Sequence, residues 1–139
     1  TVYHVGDVAW HRDVTDIDAL LKQLHGTKIL ILGNHDEKTV ARSREWAKVT
    51  PYHEITVQEQ KIILFHYPMV VWNRSHHGSW ALHGHCHGTL PTNRNALSLD
   101  VGTMCWNYAP VSFEEIAEAL THHHWSPADG HGRDYRIDH

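Results

Sequence analysis

The chain has 139 residues, of which 41% are apolar and 20% charged, and it carries a formal net charge of −4. This length and composition suit one compact domain with a buried core. The acidic balance argues against duplex nucleic acid as a partner. No apolar run approaches the roughly 20 residues needed to span a bilayer, which argues against insertion into a membrane.

Strand, helix and strand alternate at the start of the chain. The run from Val2 to Val5 predicts a strand, and the spacing of apolar residues between Asp13 and Leu24 predicts an amphipathic helix. A second strand is expected from Lys28 to Leu32, so the three elements form a right-handed βαβ unit with parallel strands. Residues Val40 to Val49 favour another helix, which Pro51 ends.

The second half of the chain predicts mainly strands. Tyr52 to Val57 and Lys61 to Phe65 predict two strands joined by a short polar turn, and Trp80 to His83 and Leu97 to Val101 predict two more. Ser112 to Leu120 predicts a helix that starts with a capping box. The alternation of helices and strands indicates an α/β domain.

Histidine is unusually frequent. Of the 16 histidines, five lie in the last 18 residues: His122, His123, His124, His131 and His139. We therefore predict a single domain over residues 1–121, followed by a polar, histidine-rich tail over residues 122–139.

The sequence carries little information about compartment and assembly. Cys86 and Cys105 are too few for a disulfide framework, and no secretory signal opens the chain, so we expect a cytoplasmic protein. Because a strand starts at once and no initiator Met precedes it, we also expect that residues before Thr1 are missing from the sequence. The oligomeric state stays open.

Four short loops carry the candidate functional residues. They are Gly6-Asp7, Gly33 to Asp36, Phe65 to Pro68 and Gly84 to His87, and each follows a predicted strand. Open α/β sheets place their sites at such strand ends, so we expect these side chains to converge at one edge. Oxygen and imidazole ligands of this kind suit a divalent cation.

The second loop has the most specific pattern. Asn34 offers a neutral carbonyl oxygen to a metal ion. His35 points elsewhere and can donate a proton to a leaving oxygen, while Asp36 can hold its tautomer. The alternative is an ordinary turn between a strand and a helix, in which Gly33 and Asn34 are common.

The other loops supply further candidate ligands. Asp7 has two carboxylate oxygens and can bridge two cations, although turns and caps also contain Asp. His66 ends a strand, where a structural role is the alternative. His85 and His87 can face two adjacent cations, and the alternative is a polar hairpin. Cys86 between them is interpreted as a small space-filling residue, because no second Cys-rich knuckle exists for a zinc finger.

In chain order, the loops supply Asp, Asn-His-Asp, His and His-x-His, and this order resembles the calcineurin-like metallophosphoesterase superfamily, above all its small single-domain bacterial and phage members. The resemblance covers residues 1 to about 120. It implies a four-layer α/β/β/α sandwich of the metallo-dependent phosphatase type. It also implies two divalent metal ions at one edge of the paired sheets; Mn, Fe, Zn or Ni fit the ligands, and Mn is favoured.

The resemblance also implies a role for each residue. Asp7 bridges both metals, His35 is the general acid, and Asp36 supports it. The remaining implied ligands are Asn34, His66 and His85 for one metal and His87 for the other. The chain departs from the family in one respect: no Asp-x-His motif precedes Gly6-Asp7, so only one metal site can be assembled in full.

The implied function is a metal-dependent hydrolase of phosphoesters, either monoesters or diesters. Metal-activated water attacks phosphorus, and His35 protonates the leaving oxygen. Retention of His35 favours this enzyme, whereas loss of the first motif favours a catalytically impaired, protein-binding scaffold of the same fold. A histidine-rich metal-storage protein is a further alternative.

The substrate is expected to be a small phosphoester. Trp10, Trp72, Trp80 and Trp106 lie near the loops. They either pack in the core and its rim or offer a stacking surface for a nucleobase, which would suit a nucleotide-like substrate.

Overall fold

The computed structural model describes residues 1–8, 13–36 and 39–125. Within these ranges the chain forms seven β-strands, two α-helices and three short 3-10 helices. The described fold is therefore rich in strands. No helix in the described ranges is long and apolar enough to cross a membrane.

Among the described residues, three strands form the first sheet, which we call sheet A. Its order is β1 (Val2–His4), β2 (Lys28–Ile31) and β3 (Lys48–Thr50), and both pairings are parallel. Helix α1 (Val14–Lys22) connects β1 to β2, and the Asp13 side chain caps it by accepting a hydrogen bond from the Thr15 amide. The predicted βαβ unit is confirmed.

Four further strands in the described ranges form sheet B. They are β4 (Tyr52–Val57), β5 (Gln60–Phe65), β6 (Trp80–His83) and β7 (Ser98–Asp100), in that order across the sheet. β4 and β5 form the predicted antiparallel hairpin, and the other two pairings are parallel. Sheet B therefore extends from a hairpin at one edge to parallel strands at the other.

Helix α1 covers the outer face of sheet A. Ile17 and Leu21 are fully buried and pack with Leu30 of β2 and with Val40 and Trp46 from the segment that follows β2. Fully burying such side chains stabilises the fold by roughly 1.5–3 kcal/mol each.

Helix α2 (Phe113–Leu120) lies on the inner face of sheet B. Its Ile116 and Leu120 belong to one apolar cluster with Ile62 and Leu82 of sheet B and with Ile31 of sheet A. The predicted capping box of this helix is confirmed, because Ser112 and Glu115 exchange hydrogen bonds between side chain and backbone.

The outer face of sheet B is covered by loops. Ile63 and Ala81 point to this face and pack against the buried Trp72, with Met69 and Ala96 beside it. The segments that contain Met69, Trp72 and Ala96 lie outside the helices that the structure describes.

These layers show that the predicted four-layer α/β/β/α sandwich is wrong. The described chain is mostly β-structure with two short helices. Helix α2 and sheet A both pack against the inner face of sheet B. A loop with Trp72 takes the place of a second outer helical layer. The prediction came from the resemblance of four short loops, and the residues of such loops do not determine which faces of the sheets are covered by helices.

The predicted helix from Val40 to Val49 is also wrong. Only the 3-10 turn Val40–Arg42 forms, and β3 follows it. The Trp46 indole N–H donates to the Val40 carbonyl 2.8 Å away, and β-branched Val49 and Thr50 pair with β2. Sheet pairing has overridden the local helical pattern.

The first residues of the predicted tail pack against the domain. The His123 ring nitrogen donates to the Ala96 carbonyl oxygen 2.7 Å away, and the Trp125 indole donates to the Ser75 carbonyl oxygen at 3.1 Å. His131 and His139 lie outside the described residues, and a domain boundary at residue 121 stays a prediction.

Candidate metal centre

Four of the predicted ligands meet at the carboxyl ends of four strands. Asp7 follows β1 and Asn34 follows β2 in sheet A, whereas His66 follows β5 and His85 follows β6 in sheet B. Because the sheets face each other across the apolar core, the four strand ends approach one another at one edge. The predicted convergence of these loops is confirmed.

His66 is the centre of this group. Its side chain is 1% exposed, and its Nδ1 lies 2.6 Å from the Val5 carbonyl oxygen. A carbonyl oxygen only accepts hydrogen bonds, so Nδ1 carries a proton, and when Nε2 carries none its lone pair is available to a cation. The Val5 carbonyl, directly after β1, thereby favours the neutral tautomer that can bind a cation.

The Nε2 atom of His66 faces three further atoms of the kinds that ligate metal ions. It lies 3.1 Å from Asn34 Oδ1, 3.2 Å from His85 Nδ1 and 3.4 Å from Asp7 Oδ2. Within the described ranges, ligand atoms of Asp7, His66 and His85 all lie within 4.8 Å of one another. Lone pairs this close repel unless a proton or a cation lies between them.

The donor set fits a divalent cation. Metal bonds to histidine nitrogen and carboxylate oxygen of about 2.0–2.2 Å place neighbouring ligand atoms roughly 3.0–3.5 Å apart. The three separations around His66 Nε2 fall in this range. Two imidazoles, a carboxylate and an amide oxygen are ligands accepted by Mn, Fe, Zn and Ni.

Asp36 joins the first two loops. Its carboxylate is fully buried and accepts hydrogen bonds from the backbone amides of Asp7, Val8 and Gly33, at 2.7, 3.1 and 2.8 Å. These charge-assisted bonds fix the Gly6-Asp7 loop against the strand end of β2. The prediction that Asp36 also orients His35 stays a prediction.

His35 lies beside the cluster. Its Nε2 is 2.9 Å from Asn34 Nδ2, which places the Asn34 amide nitrogen toward His35 and the amide oxygen toward His66. The backbone amide of His35 donates to Asp7 Oδ1 at 3.1 Å. An exposed imidazole therefore adjoins the candidate ligands.

His87 is placed differently from the four clustered ligands. Its ring is exposed, and Nδ1 lies 3.2 Å from the Met104 sulfur. It does share a cavity with Asp7 and with Asp100, a residue at the end of β7 that sequence reasoning missed. The position of Asp100 at a strand end was the signal in the sequence that could have indicated it. A second metal at Asp7 and His87 stays a prediction.

Tyr67 is a second residue that the sequence did not single out. Its ring centroid lies 4.7 Å from that of His85 and 5.0 Å from that of His66. It packs against both imidazoles, and its position directly after His66 was the only signal that could have indicated this contact.

The backbone of this centre is unusual. Asp7, His85 and His87 adopt φ values of 54°, 66° and 50°, in the left-handed region that non-glycine residues rarely occupy. Such conformations cost of order 1–3 kcal/mol each and cluster at functional sites. Three predicted ligands are thus held in strained turns.

Of the four tryptophans near the loops, the three that the structure describes do not form a common stacking surface. Trp72 and Trp80 are each 8% exposed, and Trp80 stacks on Phe113 with ring centroids 5.3 Å apart. The Trp106 indole donates to the Asp100 carbonyl oxygen at 2.9 Å. Trp10 lies outside the described residues. For Trp72 and Trp80, core packing is therefore the correct interpretation.

No protein-family profile and no curated protein matches the chain. Among solved structures, the chain is similar to a protein of unknown function, AQ665 from Aquifex aeolicus, with a TM-score of 0.62 and 23% sequence identity. The match covers 84% of this chain and 74% of that one. At this identity the likeness concerns the fold alone.

These findings overturn the resemblance to the calcineurin-like metallophosphoesterase superfamily. The structural neighbour is a protein of unknown function, and the described layers are not those of the implied sandwich. The assignment to that superfamily is therefore wrong. What the fold and the site define is a strand-rich protein with a candidate metal centre between two sheets.

Proposed function

We propose that this chain is a metal-dependent hydrolase acting on small phosphoesters. One observation supports the proposal above all others: Nε2 of the buried His66 ring faces Asp7, Asn34 and His85 at distances typical of ligands around one cation. The ligand types favour Mn, although Fe, Zn and Ni also suit them.

The cation would supply a Lewis acid that neutralises phosphoryl oxygens and lowers the pKa of water. The chain's own residues hold and surround the reacting group. Asp7, Asn34, His66 and His85 provide the ligands, and Asp36 keeps their loops together through its three backbone hydrogen bonds. His87 belongs to a second cation in this proposal, with Asp7 as the shared carboxylate.

His35 is the proposed general acid. Its ring is exposed and adjoins Asn34, so it can reach a substrate oxygen without being a ligand itself. A leaving alkoxide needs a proton, whereas a nitrophenolate leaves as a stable anion. The role of His35 therefore depends on the leaving group.

This difference gives the test of the proposal. In the presence of Mn²⁺, we expect His35→Ala to lower kcat/KM on an alkyl phosphoester by about 10²–10⁴ and on a nitrophenyl phosphoester far less. The matched control is His122→Ala, because the His122 side chain is 70% exposed and lies two residues after α2. Steady-state kinetics on both substrates measures the effect.

Two results would contradict the proposal. Equal losses on both substrates would remove the acid role from His35. Metal binding without turnover of any phosphoester would remove the hydrolase function and leave a binding protein.

We also propose that the protein works in the cytoplasm. Cys86 and Cys105 are free thiols in the structure, as expected for a protein of the reducing cytoplasm.

A further inference from the structure

The Tyr67 ring is held in one place against the candidate metal centre. It lies two residues after β5, and its centroid is 4.7 Å from that of His85 and 5.0 Å from that of His66. The ring also packs against Phe65, with centroids 5.7 Å apart. Pro68 follows directly and restricts the backbone of the residue before it. Three ring contacts and a stiff backbone thus orient the phenol.

The Tyr67 hydroxyl has no partner in the protein. It forms no hydrogen bond with any residue in the ranges 1–8, 13–36 and 39–125. The Tyr52 hydroxyl, by contrast, donates to Glu54 Oε2 at 2.9 Å. Tyrosines with packed rings usually use their hydroxyl in a hydrogen bond. Because Tyr67 is 37% exposed, its hydroxyl is accessible to a molecule that binds from solution.

A cation at the centre would bring the oxygens of a bound substrate close to this phenol. Metal bonds to histidine nitrogen measure about 2.0–2.1 Å. The Tyr67 ring contacts the imidazoles of His66 and His85, so a group bound to the same cation would lie beside it. Phosphoryl oxygens are negatively charged acceptors, and hydrogen bonds to them are stronger than those between neutral groups.

We propose that Tyr67 binds the substrate by donating a hydrogen bond from its hydroxyl to a phosphoryl oxygen. The nature of that oxygen rests on the proposed function, whereas the available donor rests on the contacts of Tyr67 alone. His35 adjoins Asn34, which follows a strand of sheet A, whereas Tyr67 follows a strand of sheet B. His35 therefore acts on the leaving oxygen, and Tyr67 acts on an oxygen that stays with phosphorus.

The test uses Tyr67→Phe, which keeps the ring and removes only the hydroxyl, and inorganic phosphate as the probe. With Mn²⁺ present, calorimetry should show phosphate affinity falling about tenfold, because a hydrogen bond to a charged group is lost. Mn²⁺ affinity should stay within twofold, because the ring still packs against both imidazoles. Tyr52→Phe is the matched control and should leave phosphate affinity unchanged, because its hydroxyl donates to Glu54.

Three results of this experiment would overturn the inference. The first is equal phosphate affinity in Tyr67→Phe and the unsubstituted protein. The second is a loss of Mn²⁺ affinity in Tyr67→Phe, because the phenol would then act on the metal ligands. The third is phosphate binding that persists after a chelator has removed the metal, because the anion would then bind away from the centre.

Kinetics with two leaving groups provide an independent measurement. Alkyl and nitrophenyl phosphoesters share their phosphoryl oxygens, so Tyr67→Phe should lower kcat/KM on both by the same factor, about tenfold. His35→Ala, in contrast, should lower the two values unequally. A loss confined to the alkyl ester in Tyr67→Phe would place the hydroxyl at the leaving oxygen and overturn the assignment.

A spectroscopic measurement needs no substitution at the site. In the chain labelled with 3-fluorotyrosine and loaded with diamagnetic Zn²⁺, which suits the same ligands, each tyrosine gives its own ¹⁹F NMR signal. The Tyr67 signal should shift when phosphate is added, whereas the Tyr52 signal should not. A Tyr67 signal that stays unmoved at saturating phosphate would contradict the contact.

Failure of this inference can be distinguished from failure of the proposed function. Phosphate binding that depends on the Tyr67 hydroxyl, without hydrolysis of any phosphoester, would contradict the proposed function and support the contact. Hydrolysis at equal rates by Tyr67→Phe and by the unsubstituted protein would support the function and overturn the inference.

Discussion

The His66 ring is oriented by the backbone of the opposite sheet before any ligand binds. Its Nδ1–H donates to the Val5 carbonyl oxygen, and the ring is almost fully buried. A hydrogen bond of this kind fixes tautomer and orientation in many metal centres and raises the basicity of the ligating nitrogen. The residue that faces Asp7, Asn34 and His85 is therefore held in place both by burial and by a backbone hydrogen bond.

Gly6 shows how closely the loops approach each other. Its φ is +90°, and a Cβ at this position would lie 2.5 Å from His66 Nδ1 and 2.6 Å from the Gly33 Cα. Gly6→Ala should thus displace His66 as well as strain the backbone. We expect the positive φ to cost about 1–2 kcal/mol and the steric conflict a further 1–3 kcal/mol, together with loss of Mn²⁺ affinity.

Gly78 provides the matched control. Its φ is +87°, but a Cβ there meets nothing within 4 Å. Gly78→Ala should lower the free energy of unfolding by the backbone term alone and leave Mn²⁺ affinity unchanged. Urea unfolding and metal titration of both variants measure the difference. Equal effects would show that the contact between Gly6 and His66 is unimportant.

At the scale of elements, His4 of β1 makes the free energy of unfolding depend on pH. Burial, reinforced by the nearby Lys28 ammonium, lowers the pKa of His4 below its ordinary value of 6.5, while Asp36 acts in the opposite direction. The unfolded chain therefore takes up a proton at a higher pH than the folded protein. Stability from this group is fully present above pH 6.5 and is lost as pH falls through the folded pKa.

Replacing His4 tests this linkage. His4→Phe keeps a ring against Trp46, whose centroid lies 5.1 Å away, but removes the titration. We expect the variant to lose less stability than the parent protein between pH 7 and pH 5, as measured by urea unfolding at each pH. His122→Phe, at an exposed site, should retain the pH dependence of the parent. Parallel profiles for His4→Phe and the parent would contradict the argument.

For the whole molecule, the candidate centre connects the two sheets. Asp7 and Asn34 extend from sheet A, and His66 and His85 extend from sheet B. A cation bound by all four can bind only the folded protein with full affinity. At a metal concentration of 100 times Kd, the native state should gain about 2.7 kcal/mol.

Thermal unfolding with increasing Mn²⁺ measures this gain. The midpoint should rise with metal concentration and return to its starting value with a chelator. His66→Ala should abolish the rise, whereas His122→Ala should retain it. An unfolding midpoint that stays the same with Mn²⁺, Zn²⁺ and Ni²⁺ would show that the four side chains form a hydrogen-bonded cluster and not a metal centre.

Local patterns predicted most of the individual elements. The βαβ unit, the hairpin of β4 and β5 and the capping box of α2 depend on nearby residues, and all three are confirmed. The helix expected from Val40 to Val49 failed because Val49 and Thr50 gain more from pairing with β2 than from a helical turn. The clustering of Asp7, Asn34, His66 and His85 was also predictable, because each is the first polar residue after a strand.

The sequence alone determined which side chains stand at strand ends, because alternation and turn residues are local properties. Tertiary structure alone decided which face of sheet B receives α2, and it left the opposite face to Trp72 and its loop. It also decided that His66 Nε2 faces Asp7, Asn34 and His85. The reason is physical: periodicity records that a surface is apolar, whereas only packing in three dimensions selects the surface that covers it.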